Sequence, residues 1–141
     1  MKKYVIALLA SCILLPLNVA AEPVNKVLIT LTSAEQQTRG MAMVLGNTMQ
    51  AQGAQVNVLL CDSAGDMALK SQQSQPLKPK NVTPEQLLTK LMAAGANVQV
   101  CALYLPNKGV AADVLVEGVT AAKPPVMAKM LTEQGTRVFN F

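Results

Sequence analysis

Apolar stretches of strand length recur along this chain, and a segment with helical spacing follows nearly every one of them. "KVLITL" (Lys26–Leu31), "VNVLLC" (Val56–Cys61) and "NVQVCALYL" (Asn97–Leu105) show little of the polar-apolar alternation of a strand with one wet face. Such runs belong to strands covered on both sides. Strands alternating with helices exclude a hairpin meander and point to a mainly parallel sheet between two helical layers. The expectation is a three-layer α/β domain, closed by a terminal strand at "TRVFNF".

Local signals place the helices. Ser33 with Gln36 has the spacing of a capping box, and Met41, Val44, Leu45 and Met49 then recur at helical spacing up to Gly53. A second start is written at Thr83, Pro84 and Gln86, with Leu87, Leu88, Leu91 and Met92 as the apolar face and Gly95 as the stop. Between them, Asp62 to Asn81 turns polar and proline-rich, which predicts an irregular excursion with one helical turn near Met67. A short helix is expected from about Val110 to Glu117, after Gly109, and a small strand within "GVTAAKPP". Val126, Met127, Met130 and Leu131 mark a last helix ending at Gly135. There is no internal repeat and no sign of a second domain.

The first residues read differently. Lys2 and Lys3 precede the apolar run "YVIALLASCILLPL", which is short for a membrane span, and Val19 with Ala21 supplies the small-residue pattern of a cleavage site. The expectation is a secretory signal peptide, residues 1–21, cut after Ala21, leaving 22–141 as one domain in the periplasm. The alternative is a lipoprotein: "LASC" ends at Cys12, although the apolar run continues beyond it.

Without the leader the chain keeps 120 residues, enough for a real core, and its charge falls from +4 to +2 because Lys2 and Lys3 leave. No arginine-rich or aromatic-studded patch suggests nucleic acid. No second long apolar run suggests a membrane partner after cleavage. The absence of histidine removes the commonest metal ligand and general base. Met41, Met43, Met127 and Met130 carry thioethers suited to Cu(I), but helix packing accounts for Met41 and Met130, so no metal and no organic cofactor is expected. Asp62 and Asp66 around Gly65 form a weak cation or turn motif, and the sequon at Asn81 is uninformative behind a bacterial-looking leader.

The chemistry then rests on two cysteines, at the carboxyl edge where parallel α/β sheets collect ligands. Cys61 closes the second strand and Cys101 lies late in the third. Thr30, Thr32 and Ser33 end the first strand at a helix start, a place for an anion. Lys108 and an expected helix start near Val110 follow Cys101, and both would favour its thiolate. Core packing is the competing account, since a free cysteine behaves as a small hydrophobe. Cys61 has three readings: core, disulfide partner of Cys101, or resolving thiol.

"VCALYLPNKGV" resembles the cysteine segment of the DsrE/DsrF-like family, in which a strand cysteine stands eight positions before a glycine usually preceded by a basic residue; here these are Cys101, Gly109 and Lys108. "TRGMAMVLGNTMQAQGAQVNVLL", "EQLLTKLMAAGANVQV" and "GVTAAKPPVMAKMLTEQGTRVFNF" fit the same pattern, so the resemblance spans most of Lys26–Phe141. It implies a flavodoxin-like fold, a homo-oligomer, and a sulfur-relay role with Cys101 accepting sulfur as a persulfide from a donor protein or small sulfur compound and passing it on. Tyr104 stands where some exported-looking relatives carry a second cysteine. Two other functions stay open: a non-catalytic oligomeric binding or scaffold protein, and a thiol-redox protein using Cys61 and Cys101.

Overall fold

The computed structural model describes residues 26–141; the expected signal peptide, its cleavage after Ala21 and the lipid-accepting Cys12 lie outside the described residues. The expected strand-helix alternation is present. The strands are β1 (Lys26–Leu31), β2 (Gln55–Leu60), β3 (Asn97–Val100), β4 (Thr120–Ala121) and β5 (Thr136–Asn140), and the helices are α1 (Gln36–Ala51), α2 (Pro84–Ala93), α3 (Tyr104–Lys108) and α4 (Pro124–Thr132). The five strands form one all-parallel sheet in the order β4-β3-β2-β1-β5.

The order follows from crossover handedness. From β1 to β4 the chain steps across the sheet in one direction, with α1 and α2 on one face. It then returns by α4 on the other face and lays β5 beside β1, as right-handed crossovers require. Strand residues of one parity (Val27, Ile29, Leu31, Val56, Val58, Leu60) enter the main core with Met43 of α1 and Leu88 and Leu91 of α2. The other parity supplies a thinner layer, Leu28, Leu59 and Val138 against Met127 and Met130 of α4. Among the described residues no helix is long and apolar enough to cross a membrane.

Helix α2 starts as its sequence predicts. Thr83 Oγ1 accepts from the Gln86 amide, Gln86 Oε1 accepts from the Thr83 amide, and Pro84 opens the first turn. Helix α1 departs from expectation. Glu35 is its N-cap and makes no side-chain cap; Ser33 Oγ accepts from the Glu35 amide instead. The face that α1 buries is Arg39, Gly40, Ala42, Met43 and Gly46, whereas Met41 is 53% and Val44 43% exposed. Small residues let the helix lie close to the sheet; of the expected face Met41, Val44 and Leu45 are exposed, while Met49 packs against the main core.

The third strand is also shorter than expected. It ends at Val100, and Tyr104–Lys108 forms α3; Pro106 fits there because a first-turn residue needs no amide donor. The helix expected over Val110–Glu117 is a single 3-10 turn, Ala112–Val114. A second 3-10 stretch, Asp62–Ala68, contains the turn expected near Met67.

Candidate functional site

Cys61 and Cys101 each stand one residue beyond a strand end. Leu60 pairs with Val100, the Cys101 amide donates to Leu60 O at 2.8 Å, and the Cys61 amide donates to Leu31 O at 2.9 Å. The two thiols therefore sit side by side at the β2/β3 carboxyl edge, both partly exposed and unbridged. Asp62 follows with φ 49°, a left-handed conformation that aspartate tolerates and that turns the chain sharply away from Cys61.

Cys101 lines an open pocket of about 550 Å³ with Asp62, Ser63, Asp66, Tyr104 and Lys108. Its polar wall is organised by Asp66. Tyr104 Oη donates to Asp66 Oδ1 at 2.6 Å, and Lys108 Nζ donates to the same oxygen at 2.5 Å. The Lys108 ammonium also lies 5.8 Å from the centre of the Tyr104 ring, within cation-π range. Gly65 makes this possible: a Cβ there would stand 2.4 Å from the ring carbons of Tyr104.

The titrations follow from these contacts. Burial would raise Asp66, but hydrogen bonds from Lys108 and Tyr104 outweigh it and hold its carboxyl below the ordinary value of 3.8. Burial, then the Asp66 hydrogen bond and charge, push the Tyr104 phenol up, so it stays a donor. Cys61 is pushed up to about 12, first by burial, then by the hydrogen bond and charge of Cys101 and the charge of Asp62. Cys61 is thus a thiol that keeps its proton.

Beneath the pocket lies Arg39, only 7% exposed. Its Nε donates to Ser33 O at 2.7 Å and its Nη2 to Ser63 O at 2.5 Å, tying the loops after β1 and β2 together. No carboxylate among the described residues forms an ion pair with it. Its charge adds to the lowering of Asp66 and opposes, without reversing, the rise of Tyr104.

The expected site residues do meet, in altered roles. Lys108 reaches the pocket of Cys101, but its ion pair is with Asp66. No helix begins at Gly109. That residue caps the end of α3 with φ 72°, a left-handed geometry glycine adopts freely, so the expected helix start cannot favour the Cys101 thiolate. Asp66 is committed to Tyr104 and Lys108 and does not pair with Asp62 for a cation; no group of three or more His, Cys, Asp or Glu suited to a metal occurs among the described residues. The anion site expected at Thr30, Thr32 and Ser33 is occupied internally. Thr30 Oγ1 donates to Asn140 Oδ1, Thr32 Oγ1 donates to Phe141 O at 3.3 Å, and Ser33 is engaged by Arg39 and Glu35. Of the four methionines considered for copper, Met43 and Met127 are buried, Met130 is packed against α4's core, and Met41 is exposed instead of packed.

Sequence reasoning missed Arg39 and the joint use of Asp66 and Tyr104. The one available signal was a lone charge inside "TRGMAMVLG", a stretch that otherwise packs.

Solved structures share this fold, and three of them follow. YchN from E. coli matches with a TM-score of 0.68 at 20% identity, over 83% of this chain and 99% of YchN. The chain has the YchN-like fold. MTH1491 from Methanobacterium thermoautotrophicum, a protein of unknown function, matches at 0.63 and 12% identity over 82% of this chain and 98% of its own. BT1422 from Bacteroides thetaiotaomicron, a conserved protein of unknown function, matches at 0.63 and 15% identity over 83% and 95%. No family model and no curated protein matches the sequence. These neighbours belong to the DsrE/YchN-like fold family, and at these identities the YchN-like fold is what the likeness establishes.

Proposed function

We propose that this protein is an exported sulfur carrier that holds sulfane sulfur on Cys101 and releases it with the help of Cys61. The observation that carries the reading is the placement of Cys101 on an open, polar pocket beside a second thiol that retains its proton. The Cys101 thiolate attacks the outer sulfur of a donor persulfide, R–S–SH; the new S–S bond forms as the donor S–S bond breaks, and R–SH leaves with the proton. Release follows either of two balanced routes. An acceptor thiolate takes the outer sulfur, or Cys61 passes its proton to the outer sulfur and its thiolate then attacks the inner one, so that hydrosulfide leaves with that proton and a Cys61–Cys101 disulfide remains for an external dithiol to reduce. Around the pocket the charges of Lys108 and Arg39 balance those of Asp66 and Asp62, so the polar wall carries both signs. The exposed side chains of Val126, Leu131 and Phe139 support self-association as a homo-oligomer.

The test is intact mass after incubation with a persulfide donor. The protein without its leader should gain one sulfur, Cys101→Ser none, and Cys61→Ser should hold the adduct longer. An adduct that survives in Cys101→Ser, or none on a freely alkylatable Cys101, ends the proposal.

A thiol-redox role has one observation in its favour. Neighbouring strands lie about 4.8 Å apart, and disulfide-bonded Cα atoms lie about 4.4–6.8 Å apart, so the adjacent thiols are within bridging reach. Loss of two hydrogens under mild oxidant, with no sulfur uptake from a persulfide, would select it.

A further inference from the structure

The α1 side chains that miss the core define a second site. Met41 and Val44 face a groove of about 820 Å³ between α1, α2 and the excursion before α2. Small-molecule sites occupy about 300–1,000 Å³ and are mostly apolar. The floor and walls here are apolar as well, with Leu77, Pro79, Val82 and Leu87 facing the two α1 residues.

The wall is built in place. The Leu77 amide donates to Val82 O at 2.8 Å, closing a short antiparallel loop. Gln36 Nε2 donates to Gln75 O, and Ser74 Oγ donates to Glu85 Oε1 at 2.7 Å, so the excursion is tied to both helices it spans. Leu77 seats over Gly40, where a Cβ would stand 2.2 Å from Leu77 Cδ1. A glycine at that position is what lets the excursion descend onto α1.

The charge around the groove has one sign. Lys78, Lys80 and Lys90 are exposed at its margin, and no aspartate or glutamate is among its lining residues. Three ammonium groups around an apolar trough complement a molecule with an apolar body and an anionic end. A cationic amphiphile would find the same trough without a counter-charge.

We infer that this groove binds a small anionic amphiphile, an alkyl chain or ring system bearing a carboxylate or comparable head, at a site separate from the thiols. The apolar portion lies along Met41, Val44 and Leu77, and the head meets the lysines. The inference does not depend on sulfur chemistry at Cys101.

Dodecanoate and dodecyltrimethylammonium, equal chains with opposite heads, test it by calorimetric titration below their micelle concentrations. Dodecanoate should bind at one site per chain, at least tenfold more tightly than the cation, and more weakly as salt rises. Val44→Glu should weaken dodecanoate at least tenfold, and Lys80→Glu combined with Lys90→Glu should remove the preference for the anionic head. All three positions are exposed, so the thermal midpoint reports whether the variants stay folded. Equal affinity for both heads, or binding untouched by Val44→Glu in a folded protein, overturns the inference. So does a groove covered by a second copy, seen as a dimer that Val44→Glu dissociates and that takes up no dodecanoate.

Discussion

The carboxyl edge of the sheet has two corners, and they spend their polar groups in opposite ways. At the β1/β5 corner, where the chain reverses its march across the sheet and α/β proteins commonly bind ligands, the groups satisfy one another. The Thr32 amide donates to Phe141 O and the Phe141 amide to Thr30 O, each at 2.9 Å, while the Thr30 hydroxyl is taken by Asn140. At the β2/β3 corner two thiols stand unbridged beside an open pocket whose wall is held by Asp66, Tyr104 and Lys108. The contrast teaches that a switch point supplies a crevice only if its own residues leave it open. Here the last strand fills it, and the two thiols gather two strands away.

That contrast can be broken most strongly at Gly65. Gly65→Ala forces a methyl group into the Tyr104 ring and should cost about 1–3 kcal/mol, the usual range for overpacking, read as a lower urea midpoint. It should also separate Tyr104 from Asp66. A variant as stable as the parent would show that the open corner is looser than its contacts imply.

A smaller effect is expected at Tyr104. Tyr104→Phe removes one hydrogen bond from a partly exposed carboxylate and should cost about 1 kcal/mol at neutral pH. The pH dependence follows from the depressed Asp66. Its contribution is present above the unfolded value of 3.8 and is lost as pH falls through the lower folded value. Stability of the parent should therefore fall on acidification more than that of Asp66→Asn, and Tyr104→Phe should lie between them. Parallel acid profiles for the parent and Asp66→Asn would contradict the arrangement.

The smallest change belongs to the closed corner. Asn140→Ala removes an exposed contact with Thr30 and should alter stability by no more than about 0.5 kcal/mol, leaving Cys101 alkylation rates unchanged. A large effect on those rates would mean that the corners are coupled.

The parts of this fold that could be read in advance are those determined locally. The Thr83–Gln86 cap involves four consecutive residues, and the runs ending at Leu31 and Leu60 carry their burial in their composition. What escaped depends on neighbours distant in sequence. Periodicity marked Met41, Val44 and Leu45 as part of an apolar face, yet α1 buries Arg39, Gly40, Ala42, Met43 and Gly46, of which Met43 alone is a large apolar residue. The run after Val100 could be strand or helix on periodicity alone, and it became helix. Both cysteines were placed at the correct edge, but the partner of Lys108 was not legible, because Asp66 lies 42 residues away. Arg39 was hidden for the same reason: its carbonyl acceptors belong to two different loops.

The buried guanidinium of Arg39 has one more consequence. A single side chain serves as both the brace between two connecting segments and a fixed positive charge felt by Asp66 and Tyr104 at the pocket's mouth. Shape and polarity at that mouth are therefore mechanically linked: neutralising the charge slackens the brace, and shortening the brace withdraws the charge.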